Sequence, residues 1–121
     1  MGRDFKNIKA WQLANQFTLE IYRLTKMFPK EELYGITSQI RRAAVSVPSN
    51  IAEGATRNYN KEYLQFLYVA KGSLAESEYL LYLADQLGYL DAGSYEKVER
   101  IRVECAKTLF GLIRAVQPVP D

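Results

Sequence analysis

Apolar residues in this chain recur at intervals of three and four, and no segment alternates apolar with polar side chains. The longest run is Tyr63, Phe66, Ala70, Leu74, Ser77, Leu81, Ala84 and Gly88, at steps of 3, 4, 4, 3, 4, 3 and 4. A period near 3.6 puts such positions on one side of an α-helix, whereas a half-buried strand needs a period of two. Three further stripes have the same character. Leu13, Phe17, Ile21, Leu24 and Phe28 form the first, and Ile36, Ile40, Ala43, Val47 and Ile51 the second. Val98, Ile101, Cys105, Leu109, Leu112 and Val116 form the last. The expected fold is therefore all-α: an antiparallel up-down-up-down four-helix bundle in one domain, residues 1–121.

Helix boundaries follow from local chemistry. Pro29 disfavours helical backbone at the residue before it, so the first helix should end near Met27 or Phe28. Gly54 and the TRNYN run place the end of the second near Arg57 or Asn58. Asn60 reads as the N-cap of the third helix, Gly88 as the residue that ends it, and Asp91 or Ser94 as the cap of the fourth. These signals predict helices over roughly 6–28, 34–58, 60–88 and 92–116, with an irregular QPVPD tail.

The chain has no histidine and one cysteine. His-based acid–base catalysis, Ser-His and Cys-His nucleophiles and the common zinc and di-iron bundle sites are thereby excluded. Glu53, Glu62, Glu76 and Glu78 lack the Glu-x-x-His partners that a bundle metal site uses, and Glu76 and Glu78 point to different faces. Gly72–Ser73 belongs to a helical stripe, and neither GxxxxGK[ST] nor GxGxxG occurs. The expectation is a protein that is not an enzyme and holds no cofactor or metal. Cys105 lies among Val103, Ala106 and Leu109 and reads as a core residue. No segment approaches the ~20 apolar residues of a membrane span, and the N-terminus lacks a cleavable leader, so a cytoplasmic location without membrane association is expected.

Charge is unevenly placed. Residues 1–30 carry six basic and two acidic side chains. Arg41, Arg42, Arg57 and Lys61 then face Glu53 alone, whereas Lys71 is set against Glu62, Glu76, Glu78 and Asp85. Such asymmetry serves either nucleic-acid binding or self-association between oppositely charged faces.

The segment SQIRRAAVSVPSNIAEG, residues 38–54, breaks the rules of a simple helix. Pro48 removes a backbone donor and costs about 3 kcal/mol in a helix interior. Two readings follow. Either two shorter helices meet at Val47–Pro48, or one helix is kinked near Pro48 and Ser49, Asn50 or a water takes the freed carbonyl. Val45, Pro48 and Ala52 lie roughly opposite Val47 and Ile51, so the helix is apolar or small on two faces. One face packs in the bundle, and the other calls for a second copy of the chain. Arg41 and Arg42 point about 100° apart. They read either as one ion pair, with Glu53 or Glu76, plus one solvated cation, or as a phosphate-contacting cluster with Arg57, Lys61 or Lys71.

The stretches FKNIKAWQLA (5–14), IYRLTKMFPKEELYGITSQIRRAAVSVPSNIAEG (21–54) and KEYLQFLYVAKGSLAESEYLLYLADQLGYL (61–90) resemble the bacterial 23S rRNA-intervening-sequence proteins. That resemblance implies a bundle assembled as a homopentamer around a central channel. It implies a more distant likeness to the accessory variability determinant of diversity-generating retroelements, a basic pentamer that engages RNA and a reverse transcriptase. The expected partners are therefore the chain itself, RNA or another nucleic acid, and a protein. The resemblance supplies no catalytic residues.

Overall fold

The computed structural model describes residues 3–117. Four helices make up most of the chain: α1 (Lys9–Thr25), α2 (Ile36–Gly54), α3 (Asn60–Gln86) and α4 (Ala92–Val116). Short 3-10 turns at Phe5–Asn7 and Lys30–Glu32 precede α1 and α2, and there is no strand among the described residues. The principal packing makes a closed circuit in which α1 lies against α2 and α4, and α3 against the same two. Side-chain contacts run in opposite senses along α1 and α2 and along α2 and α3. Thr25 meets Arg41 while Thr18 meets Ala44, and Gln39 meets Glu76 while Ser46 meets Ser73. The stripes point inward: Phe17, Ile21, Ile40, Val47, Ile51, Leu81, Val98 and Leu109 are buried in one core.

Several helix ends fall short of their expected positions, each for a local reason. Helix α1 stops at Thr25, and the next amides turn tightly, Met27 N–H to Leu24 O and Phe28 N–H to Thr25 O. Pro29 keeps Phe28 out of the helical region, so the chain tightens before it. Helix α2 starts one residue after Gly35 and ends at Gly54, with Thr56 and Arg57 closing similar tight turns. Asn60 is not the cap of α3. Tyr59 holds that position, and the Asn60 side-chain oxygen instead accepts from the Arg3 guanidinium at 3.2 Å. At the other end of α3, Gly88 has φ +79°, Gly88 N–H reaches Asp85 O and Tyr89 N–H reaches Ala84 O. Positive φ suits a residue without Cβ, which is why glycine ends this helix. Asp91 caps α4, accepting from Ser94 N–H at 2.8 Å and the Ser94 hydroxyl at 3.0 Å.

Helix α2 runs as one element with Pro48 inside it. The missing Pro48 N–H leaves the Ala44 carbonyl without its usual donor. Neither Ser49 nor Asn50 takes it. Asn50 donates to Ser46 instead, at 2.7 Å to O and 3.0 Å to Oγ. The Ala44 carbonyl accepts from the Thr18 hydroxyl of α1 at 3.1 Å, shared with Ala14 O at 2.9 Å. The break in one helix is thus repaired by a buried side chain of its neighbour.

Candidate assembly and nucleic-acid surfaces

The five basic positions do not converge within one subunit. Arg41 makes no ion pair among the described residues. Its Nε donates to Thr25 Oγ1 at 2.8 Å, and its guanidinium lies 4.9 Å from the Tyr22 ring centre. Arg42, one residue on, is exposed. Arg57 pairs with Glu53 at 3.2 Å and stacks 4.7 Å from the centre of the Phe66 ring. Glu53 is therefore engaged by Arg57, and Glu76 meets Gln39 rather than Arg41. Arg57 and exposed Lys61 flank the α2–α3 connection, where Arg3 also donates to Ala55 O and Arg57 O. Arg41 and the end of α2 at Gly54, next to which Arg57 stands, lie about 20 Å apart along the helix axis, at ~1.5 Å per residue. Lys71 lies on a third side, over a groove between α3 and α4.

Of the three positions read as a second face of α2, the structure moves one. Pro48 is buried inside the subunit. At 100° per residue it falls beside Ala44 and Ile51 on the inward side, so it cannot meet another chain. Val45 is exposed and Ala52 half-buried. With exposed Arg42 and Ser49 they form an outward line at steps of 3, 4 and 3.

A stronger surface lies on α3. Tyr68, Gly72, Ala75, Tyr79, Tyr82 and Gln86 are all exposed, at steps of 4, 3, 4, 3 and 4. This is a second heptad line, free of charge, on the side of α3 away from the core. The three tyrosines keep about half their surface in solvent. Nothing in the subunit lies within 4 Å of where a Cβ on Gly72 would be, so no packing inside the subunit requires glycine there. Beside the line, a groove of about 180 Å³ is lined by Ala75, Ala106, Leu109 and Phe110, with Arg102 and Glu78 paired at 3.3 Å on its rim. The spacing of this line was present in the sequence. It was hidden because a helix apolar on both sides carries two registers with the same period.

Burial pushes the Cys105 thiol up to about 12, so it stays protonated and inert. Among the described residues no group of three carboxylates or thiols is placed to hold a metal ion. No helix is long and apolar enough to cross a membrane.

The molecule is thus a small all-α bundle with a continuous uncharged line on its outer surface. It belongs to the 23S rRNA-intervening sequence protein family, whose sequence pattern matches residues 6–111. Its fold is similar to the crystal structure of a protein of unknown function from the S23 ribosomal protein family of Bacteroides thetaiotaomicron. The two share 24% identity over 87% of this chain and 95% of the other, with a TM-score of 0.80. No curated protein is detectably similar in sequence.

Proposed function

We propose that this chain is the non-enzymatic subunit of a homo-oligomer, a pentamer by its family resemblance, that works through surfaces completed by assembly. The observation that carries this reading is the uncharged outward line of α3 from Tyr68 to Gln86, half-exposed at each tyrosine. Soluble monomers rarely leave so continuous an apolar line in water. A closed ring needs two different patches that fit each other. The α2 line of Val45, Ser49 and Ala52 supplies small residues where the α3 line supplies tyrosines. Over their lengths α3 carries four acidic side chains against two basic ones, and α2 two basic against one acidic, so the two helices differ in the sign of their charge.

Light scattering tests this directly. The wild type should give about five times 13.9 kDa, and Tyr79→Glu/Tyr82→Glu should give the single-chain mass with helical circular dichroism retained. A wild type that scatters as a monomer overturns the reading.

RNA association is the second reading, favoured by the basic residues Arg3, Arg57 and Lys61 gathered at one end of the bundle. A ring would repeat that charge around its axis. Binding should weaken steeply with added salt and fall in Arg57→Glu/Lys61→Glu. If gel shifts at low salt retain neither RNA nor DNA, while a discrete protein co-purifies despite nuclease, the assembly is a protein-interaction scaffold instead.

A further inference from the structure

We propose that the cleft between the α1–α2 connection and the first turns of α2 is a binding site for a phosphate group. The cleft encloses about 340 Å³, far more than the ~30 Å³ share of one water, and Lys26, Lys30 and Arg41 line it. Among the described residues no carboxylate lines it. None of the three cations has an ion-pair partner among the described residues. Three like charges around one concavity repel each other, and an anion placed among them reverses the sign of that interaction.

Two features make the site more than a cluster of surface lysines. The Arg41 guanidinium is held in place: its Nε donates to Thr25 Oγ1 at 2.8 Å, its plane lies over the Tyr22 ring, and Thr25 donates onward to Ile21 O at 2.7 Å. This leaves the outer nitrogens of a fixed fork unbonded among the described residues, the geometry that takes two oxygens of one phosphate. Thr37 lines the same cleft, is only 3% exposed, and its hydroxyl has no hydrogen-bond partner among the described residues. A buried hydroxyl left unpaired is costly, and a ligand oxygen would satisfy it. At the start of α2, Glu32 accepts from the Ile36 N–H at 3.4 Å with one carboxylate oxygen and from the Tyr89 hydroxyl at 2.8 Å with the other, so it caps the helix itself and is not among the residues that line the cleft. Phe28 and Leu33 contribute apolar wall, which strengthens the charge interactions.

The phosphate can belong to a nucleic-acid strand or to a small molecule, and one experiment separates the sources. Calorimetric titration of the full chain at low salt uses inorganic phosphate in one arm and a short single-stranded RNA in the other. Saturable binding is expected in at least one arm, weakened about tenfold by Lys26→Gln/Lys30→Gln and by Arg41→Gln. Thr37→Val should weaken it about threefold while Thr37→Ser leaves it unchanged. If the RNA binds more tightly and inorganic phosphate displaces it, the ligand is a strand. If phosphate binds and RNA does not compete, it is a small molecule. Lys26 and Lys30 are exposed, so their double variant keeps the fold whatever happens to the buried positions. No saturable binding in either arm, or binding undiminished in that double variant, overturns the proposal. The light-scattering mass is indifferent to both results, so this site can fail without touching the assembly reading.

Discussion

Two places in this molecule depart from what a solitary helical bundle needs, and they are resolved in opposite ways. At Pro48 a core helix loses a backbone donor, and the subunit supplies the remedy, since Thr18 of α1 donates to the stranded Ala44 carbonyl at 3.1 Å. Along the outer side of α3 a charge-free line from Tyr68 to Gln86 runs for five steps, and apart from Gln117, which donates to the Tyr68 hydroxyl, the described residues leave its tyrosines about half exposed. An irregularity with an internal partner is a matter of packing. One without a partner points to something outside the chain. Pro48 first draws attention to α2 as an assembly face, yet its side chain is buried, and the face it suggested runs through Val45, Ser49 and Ala52 instead.

The largest expected effects come from exchanging damage between the two sides of α3. Tyr79→Glu/Tyr82→Glu should abolish assembly while the single chain stays helical, because both rings lie outside the core. Leu67→Ala should do the reverse. Leu67 is fully buried, and truncating such a residue costs about 2–5 kcal/mol, readable as a lowered denaturant midpoint. Loss of the fold in the tyrosine variant would break the comparison.

Two glycines sharpen it at smaller scale. A Cβ on Gly54 would lie 2.8 Å from Phe66 Cβ and 2.9 Å from Tyr63 Cδ1, whereas one on Gly72 would meet nothing within 4 Å. Gly54→Ala should therefore destabilise the subunit by about 1–3 kcal/mol through overpacking. Gly72→Ala should raise subunit stability by up to about 1 kcal/mol through helix propensity and weaken the oligomer if another backbone approaches there. Thermal melts and light scattering on the pair separate the two effects.

The repair at Pro48 can be isolated by a double-mutant cycle. Thr18→Val leaves the Ala44 carbonyl buried without a donor and should cost about 1–3 kcal/mol. In a Pro48→Ala background the restored amide can satisfy that carbonyl, so Thr18→Val should become nearly neutral. Chemical denaturation of the four proteins gives the coupling directly, and additive effects would show that Thr18 is not the repair.

What could be read in advance follows the same division. The stripes on all four helices, the Gly88 ending and the Asp91 cap were legible because each depends on residues adjacent along one helix. Thr18 was not, since its partner lies 26 positions away and no local pattern links a threonine to a distant proline. Asn60 was misread as a cap because its oxygen serves Arg3, a contact that exists only once the chain has folded. The phosphate-binding cleft was unreadable for the same reason. Lys26 and Lys30 flank Pro29, but Arg41 and Thr37 reach them only through the turn into α2. The outer line of α3 is a different case. Its spacing was visible, but its direction was not, because period alone does not say which of two registers faces inward.

The smallest expected effect concerns a charge with partners inside the subunit. Glu20 is nearly buried on α1, paired with Arg23 one turn on and 3.8 Å from Lys97 of α4. The hydrogen bond from Arg23 is the chief reason its carboxyl is held below the ordinary value of 4.5, with the charges of Arg23 and Lys97 adding to it and burial opposing. A carboxyl with a lowered folded-state pKa contributes stability that is fully present above its unfolded value and disappears as pH falls through the folded one. Melting temperatures of the wild type should therefore begin to fall below about pH 4.5. Asp91 adds a parallel decline, because the Ser94 hydrogen bonds lower its pKa too. Glu20→Gln should lower the melting temperature slightly at neutral pH and flatten the slope below pH 4.5, bringing the two curves together in acid. Curves that stay parallel down to pH 2 would mean that Glu20, for all its burial, contributes no more than an exposed pair.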